Sequence, residues 1–177
     1  MPEIDIRNNP WNPGIPMNSM VAERDLYMLL TIFGASQELC SRRKNENDEA
    51  SVYGRSVRAY ELPEVGRLLV SLAAVCRNDW DNRAGSIADT LKACSELPEV
   101  GVLVEDVSVP CKEPLLIRES WNKILHCHKM NFQRSKGPSI YSGHLEPHVH
   151  LYGQFNDKQW KASITIFRWC EVVNTLI

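Results

Sequence analysis

Long apolar runs, paired cysteines and signature motifs are all missing from this 177-residue chain, and each absence removes a class of function. No apolar stretch approaches the roughly 18 residues that a bilayer-spanning helix needs. The opening residues MPEIDIRNNPWNPG lack the basic start and apolar centre of a secretion signal. A cytoplasmic protein with no membrane partner is therefore expected. The six cysteines, Cys40, Cys76, Cys94, Cys111, Cys127 and Cys170, are spread almost evenly with no C-x-x-C pair, which points to reduced core thiols rather than a disulfide framework. The phosphate loop G-x-x-x-x-G-K-[ST], the dinucleotide fingerprint G-x-G-x-x-G, the G-x-S-x-G elbow and the H-E-x-x-H zinc helix are absent, so the simplest nucleotide-binding, hydrolase and metalloprotease readings fall away.

What is present is an ordinary globular composition, 44% apolar and 24% charged, enough for one domain with a real core. The net charge of -2 hides a skew. Residues 1–110 carry 11 basic and 17 acidic side chains, a balance of -6, while residues 111–177 carry 9 and 5, a balance of +4. All five histidines also fall in the basic part. Such a segment can face phosphate, or it can neutralise the acidic part within the fold.

Residues 1–18 hold four prolines among several asparagines, a density that blocks both helix and ladder hydrogen bonds, and read as an extended arm before a single domain over 19–177. Helices are expected from Ser19 to about Cys40 and from Pro63 to about Trp80. A shorter one carries Ile87, Leu91 and Cys94, another runs from Pro114 to His128, and a last one covers roughly 164–177. A short strand is expected at GVLVEDVSVP from Gly101, and residues 133–143 read as a polar loop. Alternation on both sides of Asn156 and Asp157 marks a β-hairpin over about 148–164, with Val149, Leu151 and Phe155 on one face and His148, His150 and Tyr152 on the other. The expected fold is mainly α: a four-helix bundle with a small β-hairpin before the last helix. The hexapeptide ELPEVG occurs twice, from Glu61 and from Glu96, which raises an internal duplication as a possibility.

The helix RESWNKILHCH is the richest in chemistry. Arg118, Asn122 and His126 recur at i, i+4 and i+8 and line up along one side, where the Arg can bind phosphate, the Asn orient it and the His exchange a proton. Trp121 and Ile124 centre the apolar stripe and are expected to pack on the Pro63 helix, with His128 on the same apolar face. Trp169 and Phe167 are likewise expected in the core. Lys123, Lys129 and Arg134 supply further cations, and Tyr152 is the aromatic placed to stack on a base. His148 and His150, two apart on a strand, point the same way and with His144 offer an alternative metal site.

An Arg followed by a His on one helix of a small α-helical bundle resembles the HEPN superfamily (higher eukaryotes and prokaryotes nucleotide-binding), although the interval from Arg118 to His126 is longer than its usual one. The string Asn122-Lys123-Ile124-Leu125-His126 before a hairpin also resembles uncharacterised bacterial proteins with an Asn-Lys-Ile-x-His helix. The resemblance implies RNA or nucleotide handling in bacterial or phage stress or defence, including metal-independent ribonuclease activity through Arg118, Asn122 and His126, with no cofactor and with a homodimer as an expected assembly. A non-catalytic interaction or scaffold protein and a His-based metal binder stand as alternatives.

Overall fold

A computed structural model describes residues 19–42, 52–82, 97–109, 111–135 and 143–176. The expected arm, the helix through Ile87, Leu91 and Cys94, and Cys94 itself lie outside them. Helix α1 (Ser19–Ser41) is followed by a short α2 (Val52–Ser56), a π-helical turn (Val57–Glu61) and α3 (Leu62–Asn82). Strands β1 (Glu99–Val104) and β2 (Glu113–Leu116) precede α4 (Ile117–His126), and β3 (Lys129–Arg134), β4 (Leu145–Phe155), β5 (Lys158–Thr165) and α5 (Ile166–Asn174) complete the fold.

The five strands form one antiparallel sheet in the order β2-β1-β5-β4-β3. This corrects the expectation of a mainly α four-helix bundle with one hairpin. The hairpin exists, but it is the centre of a sheet. Three more strands join it: β1, where a short strand was expected from Gly101, and β2 and β3, which the sequence pattern did not mark as strands. Glu113–Leu116, of which Pro114 onward was expected as the start of a helix from the apolar period of the residues that follow, is an edge strand, one of the few strand positions where a missing N–H is tolerated. Helix α4 begins only after Leu116, whose backbone is extended. Strand β3 alternates half-buried Met130 and Phe132 with exposed Lys129, Asn131 and Gln133, and its last residues fall in the expected loop. Its period-2 pattern is short and mostly polar, so its strand character shows only against β4.

Among the described residues the core cluster joins helix residues to one face of the sheet: Val149 and Leu151 of β4, Trp160, Ala162 and Ile164 of β5, Leu103 of β1 and Leu115 of β2. Leu26, Leu29, Leu69, Leu72, Ile117, Ile124 and Trp169 meet them from the helices. Trp121 and Ile124 are each 1% exposed, and the Trp121 ring sits edge-on to Trp80 of α3 with centroids 5.9 Å apart, as the helical stripe predicts. Two serines pair polar groups in this layer: Ser120 donates to the Ile117 carbonyl (2.6 Å) and accepts from Trp169 Nε1 (2.9 Å), and Ser36 Oγ accepts from the Leu145 amide (2.8 Å), whereas Trp121 Nε1 is buried with no hydrogen-bond partner among the described residues.

Three core expectations are corrected. His128 is exposed, because α4 stops at His126 and the helical period no longer applies two residues later. Phe167 is 42% exposed, touching Phe33 only edge-on. Phe155, on the core parity of β4, is 70% exposed, because the hairpin tip extends past the helix layer. The five cysteines within the described residues are unpaired; Cys76 and Cys170 are buried, which pushes both thiols up to about 12, whereas Cys111 is exposed.

Candidate nucleic-acid interface

The second face of the sheet is built from the alternate residues of the same strands. Antiparallel register places Lys129 of β3 opposite Tyr152 of β4, and Tyr152 opposite Lys161 of β5. One row across three strands therefore reads cation, aromatic, cation, at about 4.8 Å per strand. The Lys161 ammonium lies 5.7 Å from the centre of the Tyr152 ring, within reach of a cation–π attraction. The next row is Asn131, His150 and Ser163, with His150 Nδ1 2.8 Å from Ser163 Oγ. Beyond it His148 pairs with Thr165.

The hairpin turn makes this register possible. Asn156 and Asp157 have φ of 46° and 61°, the left-handed pair that a tight two-residue turn requires and that Asn and Asp adopt most readily among non-glycine residues. Beside the turn Gly153 leaves room that a β-carbon would take from the Trp160 indole. A groove of about 370 Å³ opens here, lined among others by His128, Lys129, Tyr152, Gln159 and Lys161. Burial, then Lys161 and then His148 hold the His150 imidazole below its ordinary 6.5.

The row expected to be catalytic does not assemble as one site. A second groove, of about 440 Å³, lies between α3, α4 and the hairpin and includes Asn122, Lys123, His126, Arg77 and Trp160 in its lining; Arg118 is not part of it. Arg118 instead pairs with Asp81 of α3 at 3.5 Å, and Asn122 Nδ2 donates to Glu119 at 3.2 Å. His126 Nε2 accepts from Arg77 Nη1 at 3.3 Å, so the guanidinium beside the imidazole is Arg77. Two α4 residues eight apart lie more than two helical turns from each other, so the helix row places Arg118 and His126 at opposite ends of one surface.

The four expected nucleic-acid contacts separate as well. Lys129 and Tyr152 meet on the open face. Lys123 is only 16% exposed, paired with Glu119 at 3.1 Å and lying 4.6 Å over the Trp160 ring. Arg134 is corrected outright: its guanidinium is buried against the Glu61 carboxylate, with Nη1 donating to the Gly143 carbonyl at 2.7 Å, so its charge serves the fold. The alternative metal set does not converge either. His144 Nδ1 meets Ser135 Oγ at 3.0 Å, away from the row of His150, and among the described residues no three His, Cys, Asp or Glu side chains are grouped to hold a metal ion.

Sequence reasoning missed Lys161, Ser163 and Arg77. The first two were within reach, because a two-residue turn at Asn156-Asp157 by itself sets Tyr152 opposite Lys161 and His150 opposite Ser163. Arg77 had no such signal, since it reaches His126 only through the packing of α3 on α4. No protein-family model, curated protein or solved structure shows a significant match to this chain. Among the described residues no helix is long and apolar enough to cross a membrane.

Proposed function

We propose that this chain binds single-stranded RNA across the open face of its sheet. The observation that carries the reading is the Lys129–Tyr152–Lys161 row. A base unstacked from its neighbours finds an aromatic face, and the phosphates on either side find a cation on each adjoining strand. Asn131 in the next row offers an amide that can recognise a 2′-hydroxyl. Duplexes suit the site less, because their bases are stacked and unavailable to Tyr152. The proposal rests on the sheet and not on the helical bundle that the HEPN resemblance implied.

Fluorescence anisotropy of a labelled single-stranded RNA, followed across salt concentrations, tests it. Tyr152→Ala is expected to weaken binding roughly 5- to 150-fold, the equivalent of about 1–3 kcal/mol of stacking. Lys129→Ala and Lys161→Ala are each expected to lower the salt slope by about one. Unchanged affinity in all three variants removes the open face as the binding surface. A mononucleotide that binds as tightly as the oligomer would confine recognition to the stacking position.

A further inference from the structure

We infer that the open face also cleaves the RNA it binds, with His150 as general base, His148 as general acid and Lys161 as the cation stabilising the phosphate; this rests on the binding reading above. The geometry that points to it is the order of rows on one surface. Tyr152 and Lys161 stand in the stacking row, His150 and Ser163 in the next, His148 and Thr165 in the one after. A base on Tyr152 therefore directs its 3′ or 5′ phosphate along β4 towards the two imidazoles.

Each side chain is prepared differently. When His150 donates its Nδ1–H to Ser163 Oγ, 2.8 Å away, the ring is held in place and Nε2 is left as a free acceptor. Burial, Lys161 and His148 all favour the neutral ring, the form a base requires. His148 lies two residues along the same strand, so the Cα atoms are about 7 Å apart, a separation that lets two rings approach one phosphate from opposite sides. His148 Nδ1 is buried and, among the described residues, meets no hydrogen-bond partner.

In the reaction the 2′-oxygen attacks the adjacent phosphorus, forming the 2′-O–P bond as the P–O5′ bond breaks. The 2′-OH proton passes to His150 Nε2, leaving that ring charged, and the departing 5′-oxygen takes a proton from Nε2 of a His148 that enters the step as imidazolium and leaves it neutral. The products are a 2′,3′-cyclic phosphate end and a 5′-hydroxyl end. No oxidant, reductant or metal enters the balance.

The test uses an end-labelled single-stranded RNA, the same sequence with 2′-O-methyl riboses, and EDTA throughout. Cleavage of the first to cyclic-phosphate ends, with binding but no cleavage of the second, is expected. His150→Asn and His148→Asn should each slow cleavage about 10²- to 10⁴-fold, while affinity for the methylated strand falls no more than a few-fold and the circular-dichroism spectrum is kept. Ser163 is a positioning residue, so Ser163→Ala should slow cleavage and Ser163→Thr, which retains the hydroxyl, should restore it. Binding without cleavage by the wild-type chain overturns this inference and leaves the binding reading standing, as does cleavage that both histidine variants retain. Absence of binding to either strand overturns both.

Discussion

The two faces of one sheet share every strand, yet opposite rules govern them. On the helix face Val149, Leu151, Ala162 and Ile164 are completely buried, and polar side chains such as Ser120 with Trp169 and Glu61 with Arg134 are paired within the protein. On the open face His148, His150, Tyr152, Lys161 and Ser163 are half-exposed, with His150 meeting Ser163 and Lys161 meeting the Tyr152 ring. A step of one residue along β4 thus moves a side chain from stability to recognition. Parity within the strand, more than residue type, sets what a substitution will do here.

The sharpest break of that comparison is on the helix side. Trp121→Ala removes a fully buried indole packed on Trp80 and should cost about 3–5 kcal/mol, read from urea unfolding, with RNA affinity per folded molecule unchanged. A weakened affinity would mean that the two faces are coupled through the core. Ser120→Ala is a smaller probe of the same layer. It strands Trp169 Nε1, which Ser120 Oγ now accepts from, and should cost about 1–3 kcal/mol; no measurable loss would show that another acceptor takes over.

On the open side the signs reverse. Lys129→Ala, at an exposed position, should leave stability within about 0.5 kcal/mol while lowering the salt slope of RNA binding. A drop in thermal midpoint larger than that of Ser120→Ala would erase the distinction between faces. The smallest effect is in pH. Because the folded state depresses the His150 pKa from 6.5, it favours the neutral ring. The corresponding stability is complete above 6.5 and is lost as pH falls from there through the folded value. The shift itself is visible as a His150 NMR titration midpoint below 6.5, and removing the neighbouring charge by Lys161→Gln should raise it.

Much of this was legible from short-range pattern. The α1 and α3 spans, the α4 stripe centred on Trp121, the hairpin turn at Asn156-Asp157 and the shared direction of His148, His150 and Tyr152 all follow from periods of 3.6 and 2 over a few residues. The sheet was not legible, because β2 and β3 are edge strands of four and six residues with too little apolar alternation to stand out. The fate of each cation was hidden for a related reason. Lys129 and Arg134 both belong to β3, but only a partner 73 positions away, Glu61, takes Arg134 out of solvent.

The repeated hexapeptide separates local from tertiary causes most plainly. In its first copy Leu62-Pro63-Glu64-Val65-Gly66 lies in helix α3, where a π-helical turn just upstream accommodates a proline that has no N–H to give. In the second, Leu97-Pro98 is irregular and Glu99-Val100-Gly101 is strand β1. Both valines are buried, so the sequence by itself determined that this stretch meets the core through Val. Its conformation was decided by the surroundings. Gly66 has open room with Phe132 4.0 Å away, whereas a β-carbon on Gly101 would run into the Ser163 carbonyl of the neighbouring strand. Hydrophobic and turn chemistry act over neighbouring residues and can be read from sequence, but hydrogen bonds between strands and ion pairs between elements depend on which distant residues arrive, and only the folded chain brings them together.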